Sequence, residues 1–142
     1  MGDVPVIERS GGLNVAERGA ARGGIANVSI EQVLAWAPDT VVTLDRNFFG
    51  AYAANPLWAA VPAAAAKRVF LAPRLPFGWI DQPPSINRAI GLRWIAGMLY
   101  PDKFPEDMRV EARNFIKLFY QTEPDDAGLD RILAGALPGR GR

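Results

Sequence analysis

The sequence predicts an α/β fold with a short parallel sheet flanked by helices, and three observations carry that expectation. Two short runs rich in β-branched or apolar residues, at 40–44 and 68–71, lie between turn-forming residues as buried strands do. Segments of helical apolar spacing separate and follow them, and strands alternating with helices favour parallel pairing, because a parallel pair needs a crossover. The chain has 142 residues, 49% of them apolar, with four Trp and seven Phe. That is enough material for one hydrophobic core and lies outside the disordered class.

Each element has its own signal. Residues 4–9 read as a short helical or extended piece ending at Gly11-Gly12, where glycine admits the positive φ of a helix C-cap. Ser29 and Gln32 have capping-box spacing, and Ile30, Val33, Leu34 and Ala37 share one face of the helix that follows, which Pro38 ends. The polar Asp45-Arg46-Asn47 after the first strand marks a loop or a helix start. Pro73 stops the second strand, and residues 74–84 form a long aromatic loop punctuated by Pro76, Gly78, Pro83 and Pro84. A helix then runs from Ser85 to about Tyr100, with Ile86, Ile90, Trp94 and Met98 recurring every four residues. Pro105 suits the first turn of a longer helix whose core face is Met108, Ala112, Phe115, Ile116 and Phe119. A last helix covers residues 125–134, and the Gly-Arg-Gly-Arg end at 139–142 reads as a flexible tail. Two strands cover little core, so the expectation is that a further strand precedes residue 1 or that residues 13–16 add a weak one.

Composition excludes several function classes. Sixteen Lys and Arg against fifteen Asp and Glu leave a net charge of +1, so no bulk field draws the chain to nucleic acid or to an anionic membrane. The absence of cysteine and histidine removes disulfides, thiol nucleophiles, zinc clusters and Ser-His or Cys-His pairs. Neither a metal site made by the protein alone nor a resident cofactor is expected. No stretch reaches the roughly 18 apolar residues of a membrane helix, and the Met-Gly-Asp-Val-Pro start lacks the features of a signal peptide.

Chemistry is expected where ligands gather in open α/β sheets, at the carboxyl ends of the strands. The loop after the first strand carries Asp45, Arg46 and Tyr52 with Phe48 and Phe49. The loop after the second carries Arg74, Phe77, Trp79 and Asp81, with Asn87 and Arg88 just inside the next helix. Arginines offer planar donors to carboxylate or oxyanion groups, and aromatic rings offer flat apolar surface to an organic ligand. The candidate ligand-binding residues are therefore Asp45, Arg46, Tyr52, Arg74, Phe77, Trp79 and Arg88. Each also has a packing role open to it. Phe48, Phe49, Phe77 and Trp79 can anchor loops, Arg74 and Arg88 can pair with Asp81, and Asp45 can cap the next helix. Glu31 in a first helical turn fits the helix dipole alone.

The segment Val28-Ser29-Ile30-Glu31-Gln32-Val33-Leu34-Ala35-Trp36-Ala37-Pro38-Asp39-Thr40-Val41-Val42 resembles the helix–strand signature in the C-terminal lobe of substrate-binding proteins of iron-siderophore and cobalamin ABC importers. Gly11-Gly12-Leu13-Asn14 is similar to that family's Gly-Gly-x-Asn turn. Arg68-Val69-Phe70-Leu71-Ala72-Pro73, Leu75-Pro76-Phe77-Gly78-Trp79-Ile80-Asp81 and Pro83-Pro84-Ser85-Ile86-Asn87-Arg88 resemble a subgroup for iron-complex transport. The resemblance implies a three-layer, Rossmann-like lobe over residues 1–138, incomplete at its N-terminus, with an N-terminal lobe missing. It also implies an extracytoplasmic, periplasmic location. The implied ligand is an iron-siderophore or related metal chelate held in an interlobe cleft, the alternative being a corrinoid or a molybdate- or tungstate-type oxyanion. ABC permease subunits are the implied partners, with Glu31 as the docking carboxylate. The chain departs from the pattern at Ala64-Ala65-Ala66-Lys67-Arg68-Val69, which has neither the lysine nor the turn glycine of the family's Val-Lys-x-Gly-Arg-Val.

An enzyme is not expected. The sequence has no Gly-x-Gly-x-x-Gly after a strand, no phosphate-binding Gly-x-x-x-x-Gly-Lys-Ser/Thr loop and no Gly-x-Ser-x-Gly elbow. Carboxylate-only hydrolysis by a small α/β hydrolase through Asp45 and Asp81 is the rival reading, and a structural interaction module is a third.

Overall fold

A computed structural model describes residues 6–18, 27–80 and 85–138. The chain runs through α1 (Val6–Arg9), a 3-10 turn (Val15–Arg18), α2 (Ile30–Trp36), β1 (Val41–Thr43), α3 (Arg46–Ala51), a second 3-10 turn (Tyr52–Ala54), α4 (Pro56–Ala59), α5 (Pro62–Ala65), β2 (Val69–Leu71), α6 (Asn87–Leu99), α7 (Met108–Tyr120) and α8 (Asp126–Ile132). These elements fall into two compact units. A sheet unit comprises Asn14–Leu71 with Pro138–Arg142, and a helical unit comprises Met1–Leu13 with Ala72–Leu137.

In the sheet unit, β1 and β2 pair in parallel with Val41 opposite Val69, Val42 opposite Phe70 and Thr43 opposite Leu71. The two β-rich runs form the strands the sequence predicts. All three residues of β2 are buried, and α3 packs against both strands. Arg68 holds the register from the side. Its Nη2 donates to Thr40 Oγ1 at 2.9 Å, and its Nε lies 3.2 Å from both Thr40 Oγ1 and the Asp39 carbonyl oxygen. The residues expected to add a weak strand, 13–16, do not. Asn14 Oδ1 accepts from the Ala16 amide at 3.2 Å and turns the chain into the 3-10 turn, because an Asx side chain offers the backbone a local partner in place of a ladder.

The turn into β2 answers the missing glycine. The Arg68 amide donates to the Ala63 carbonyl at 2.7 Å and the Lys67 amide to the Ala64 carbonyl at 3.0 Å. This is the paired pattern of a Schellman end, in which the residue just past the helix takes a left-handed conformation. Lys67 takes it, with φ 55°. The motif forms because its two hydrogen bonds outweigh the local cost of a side chain at positive φ. Gly11 has the same role after α1, with φ 82° and the bonds Gly12 to Ile7 and Gly11 to Glu8, both 3.0 Å.

The helical unit is built on α6, which buries Ile90, Trp94, Ile95 and Met98. Ile86, the first residue of the predicted stripe, is 49% exposed because it precedes the helix. Trp94 donates its indole N–H to the Ala136 carbonyl at 2.7 Å, which gives a buried ring a partner for its polar edge. α1 and α7 pack on α6, and α8 packs on α7. α7 begins later than Pro105 suggests. Asp107 caps it by accepting from the Arg109 amide at 2.8 Å, and Pro105 lies in the irregular segment before it. Of the predicted core face, Ala112 and Ile116 are buried, Met108 and Phe115 half-buried, and Phe119 is 48% exposed.

One close approach fixes the loop between β2 and α6 against the helix. A Cβ on Gly91 would overlap the Trp79 carbonyl oxygen and lie 2.8 Å from its carbon. Gly91→Ala must therefore displace the Trp79 backbone, and we expect a loss of about 1–3 kcal/mol or more, read as a lower midpoint in thermal or urea unfolding. Lys67→Gly has the opposite sign. It removes a left-handed side chain worth about 1 kcal/mol of strain, part of which the greater freedom of glycine in the unfolded chain cancels, so the midpoint should rise slightly.

Candidate functional site

Parallel pairing brings the chain out of β1 and β2 at the same sheet edge, since Thr43 is the partner of Leu71. The residues after β1 stay in the sheet unit and those after β2 belong to the helical unit, so the two groups of candidates are described separately.

After β1, Asp45 is exposed and works as the N-cap of α3. Its Oδ1 accepts from the Asn47 amide at 2.8 Å and the Phe48 amide at 3.2 Å, the local role expected of an aspartate before a helix. Arg46, the first residue of α3, is exposed. Tyr52 is half-buried, with its ring centroid 6.1 Å from that of Phe48 and 6.2 Å from that of Phe49. Phe48 also meets Trp58 edge-on at 4.7 Å. The phenylalanines of this segment thus form an aromatic cluster that anchors α3 and α4.

After β2, residues 72–80 form a closed loop. The Trp79 amide donates to the Pro73 carbonyl at 3.1 Å, and its indole N–H donates to the Leu75 carbonyl at 3.2 Å. Trp79 is 1% exposed. The indole N–H thus ties the ring within the loop, the anchoring role that the sequence leaves open for Trp79. The Leu75–Pro76 peptide is cis. The same ties turn the loop tip outward: Arg74 is exposed, and Leu75 and Phe77 are each 49% exposed. Among the described residues Arg74 pairs with no carboxylate. Arg88 is half-buried in the first turn of α6. Asp81, the expected partner of these arginines, lies outside the described residues.

Asn87 joins the loop to the helices. It is 0% exposed, its Nδ2 donates to the Phe77 carbonyl at 3.0 Å, and its Oδ1 accepts from the Tyr120 hydroxyl at 2.8 Å. Sequence reading places Asn87 beside the site and misses Tyr120. A tyrosine at the end of an amphipathic helix carries no mark that separates a buried hydroxyl from a solvated one.

Glu31 is exposed in the first turn of α2, whose capping box is complete. Ser29 Oγ accepts from the Gln32 amide at 3.3 Å, and Gln32 Oε1 accepts from the Ser29 amide at 2.9 Å. The Ser29 hydroxyl, and then the backbone N–H of Glu31 itself, hold the Glu31 carboxyl below its ordinary value of 4.5. It is an exposed carboxylate on the first turn of a capped helix. Among the described residues no group of three or more Asp or Glu is placed to hold a metal ion, and no helix is long and apolar enough to cross a membrane.

Over 127 residues the chain is 32% identical to the molybdate-binding protein MolA of Haemophilus influenzae, a match covering 86% of this chain and 35% of that protein. The structure of MolA bound to molybdate superposes with a TM-score of 0.69 at 30% identity, covering 84% of this chain and 37% of the other. An ABC transporter solute-binding protein from Sulfurospirillum deleyianum gives a TM-score of 0.73 at 32% identity, covering 78% and 34%. A periplasmic solute-binding protein from Veillonella parvula gives 0.80 at 23% identity, covering 95% and 42%, a likeness of fold. No family model matches the chain. The chain spans little more than a third of the curated relative it matches, and the proteins it is similar to are solute-binding transport proteins, not enzymes. The expected likeness to ABC-importer binding proteins holds, without the iron-siderophore or cobalamin subtype.

Ser29→Ala tests the presentation of Glu31. Loss of the cap should cost about 1 kcal/mol of stability. An NMR titration of the Glu31 side chain should show its pKa move up toward the ordinary value. Because the folded value is lowered, Glu31 adds stability that is complete above the ordinary carboxylate pKa and lost as pH falls through the lowered value. The variant should therefore lose less on acidification over that window than the parent does.

Proposed function

We propose that this chain is one lobe of an extracytoplasmic solute-binding protein of an ABC importer and that its ligand is an oxyanion of the molybdate class. The observation that carries this reading is the 32% identity over 127 residues to a molybdate-binding protein. The shares of 34% to 42% that the chain covers in its structural relatives suit a single lobe of a two-lobed receptor. The residues support a small anion better than a bulky chelate. With Trp79 closed into its own loop, the flat aromatic surface that a siderophore or corrinoid would need shrinks, while Arg74, exposed, and Arg88, in the first turn of α6, carry the planar guanidinium chemistry that suits an oxyanion. The iron-siderophore expectation gives way to the oxyanion alternative on these two grounds.

In this reading Glu31 is the docking carboxylate for the permease, where a charged pair sets register more than affinity. The missing partner lobe and the permease subunits complete the assembly.

Two measurements test the proposal. Calorimetry with sodium molybdate on the two-lobed protein should give saturable binding, weakened roughly 10- to 100-fold by Arg74→Ala or Arg88→Ala, the range for a lost charge-assisted hydrogen bond. Unchanged affinity in both variants removes them from the site, and binding of a ferric siderophore or corrinoid in place of molybdate overturns the oxyanion reading. In cells, Glu31→Ala should abolish uptake while the purified protein keeps its affinity; normal uptake would leave Glu31 with its helix-terminal role alone.

A further inference from the structure

We propose that Tyr120 is a positioning residue for the loop tip that carries Arg74 and Phe77. The Phe77 carbonyl can only accept a hydrogen bond, so it requires the amide nitrogen of Asn87, which lies 3.0 Å away. That choice turns Asn87 Oδ1 the other way, toward the Tyr120 hydroxyl at 2.8 Å, and the hydroxyl donates to it. Asn87 is fully buried, so water is not at hand to replace either partner. The backbone N–H of Asn87 also donates to Ser85 Oγ at 3.2 Å, which fixes the start of α6 beside Arg88.

Among the described residues the loop is also tied inside itself, by the Trp79 amide to Pro73 and the Trp79 indole to Leu75. Among the described residues Asn87 is thus the polar tie from the Phe77 backbone to a helix, and Tyr120 satisfies the amide oxygen that this tie leaves over and so holds the amide in place. The rings of Phe77 and Tyr120 lie 6.5 Å apart, so the phenol body neighbours Phe77 directly while the hydroxyl reaches its backbone through Asn87. Removing the hydroxyl keeps the ring and leaves the buried Asn87 Oδ1 without this donor, which loosens the amide that holds the Phe77 carbonyl.

The hydrogen-exchange part of the test does not depend on the ligand, whereas the affinity part rests on the oxyanion reading. In the full-length protein, Tyr120→Phe should speed exchange of the Trp79 amide about tenfold or more while the amides of Ile95 and Met98 in the middle of α6 keep their protection. A merely structural loss would speed all three together, and that result, or unchanged exchange at Trp79, overturns the proposal. Asn87→Asp, which keeps the acceptor for Tyr120 and removes the donor to Phe77, should give the same local signature. If the parent binds sodium molybdate, Tyr120→Phe should weaken it about three- to tenfold, and equal affinity refutes the positioning role. A parent that binds no molybdate refutes the oxyanion reading instead, and the exchange result then decides the role of Tyr120.

Discussion

A buried amide cannot wait for water, and the helical unit is arranged around that constraint at Asn87. Its nitrogen and oxygen are matched by groups from two directions, a loop carbonyl at Phe77 and a phenol at the end of α7. Four residues further along α6, Gly91 lets the Trp79 carbonyl approach the helix more closely than any side chain would permit. The two features act on the same loop from the same helix. One supplies direction through hydrogen bonding and the other supplies proximity through the absence of a methyl group, so the path of residues 72–80 follows from α6.

That division explains what could be read in advance. Local signals were legible wherever the partner of a residue lies within about four positions. Ser29 with Gln32, the glycine after α1 and the aspartate at Asp45 all took the cap roles open to them in the sequence. Both strands were legible from their β-branched and apolar content, because burial between turns leaves little else for such runs to do. Long-range partners were not legible. Nothing in the sequence announces that Trp79 is 1% exposed or that its carbonyl lies against Gly91 of α6. Tyr120 is 33 residues from Asn87 and has no periodic signature that joins them. Pro105 misled because proline is as much at home in the segment before a helix as in its first turn. Residues 13–16 misled because a single Asx bond at Asn14 outweighed weak strand content.

The site was partly legible for the same reason. Its residue types were found where the strands end, yet their division into supporting and presented groups depends on tertiary contacts. Asp45 gives a carboxylate oxygen to a cap, and Trp79 gives its indole to a carbonyl. What is left facing outward on the helical unit is cationic and mixed with apolar surface, at Arg74, Leu75 and Phe77. An inventory of arginines and aromatics suits several ligands equally. Withdrawing the largest aromatic from that inventory favours the smaller and more highly charged one.

The exposed charges of α7 and α8 have a bearing on this that their individual energies do not suggest. Arg109 meets Asp130, Arg113 meets Asp126, and Lys117 meets Glu123, so the three cations of α7 that follow its first residue are each answered within one contact. Matched charges behave as dipoles and their potential decays quickly with distance, whereas a guanidinium that meets no carboxylate among the described residues, as at Arg74, reaches outward over roughly a Debye length, about 10 Å at 0.1 M salt. A small dianion diffusing past a chain of nearly zero net charge would therefore be steered by the loop tip and hardly at all by the more heavily charged helical face.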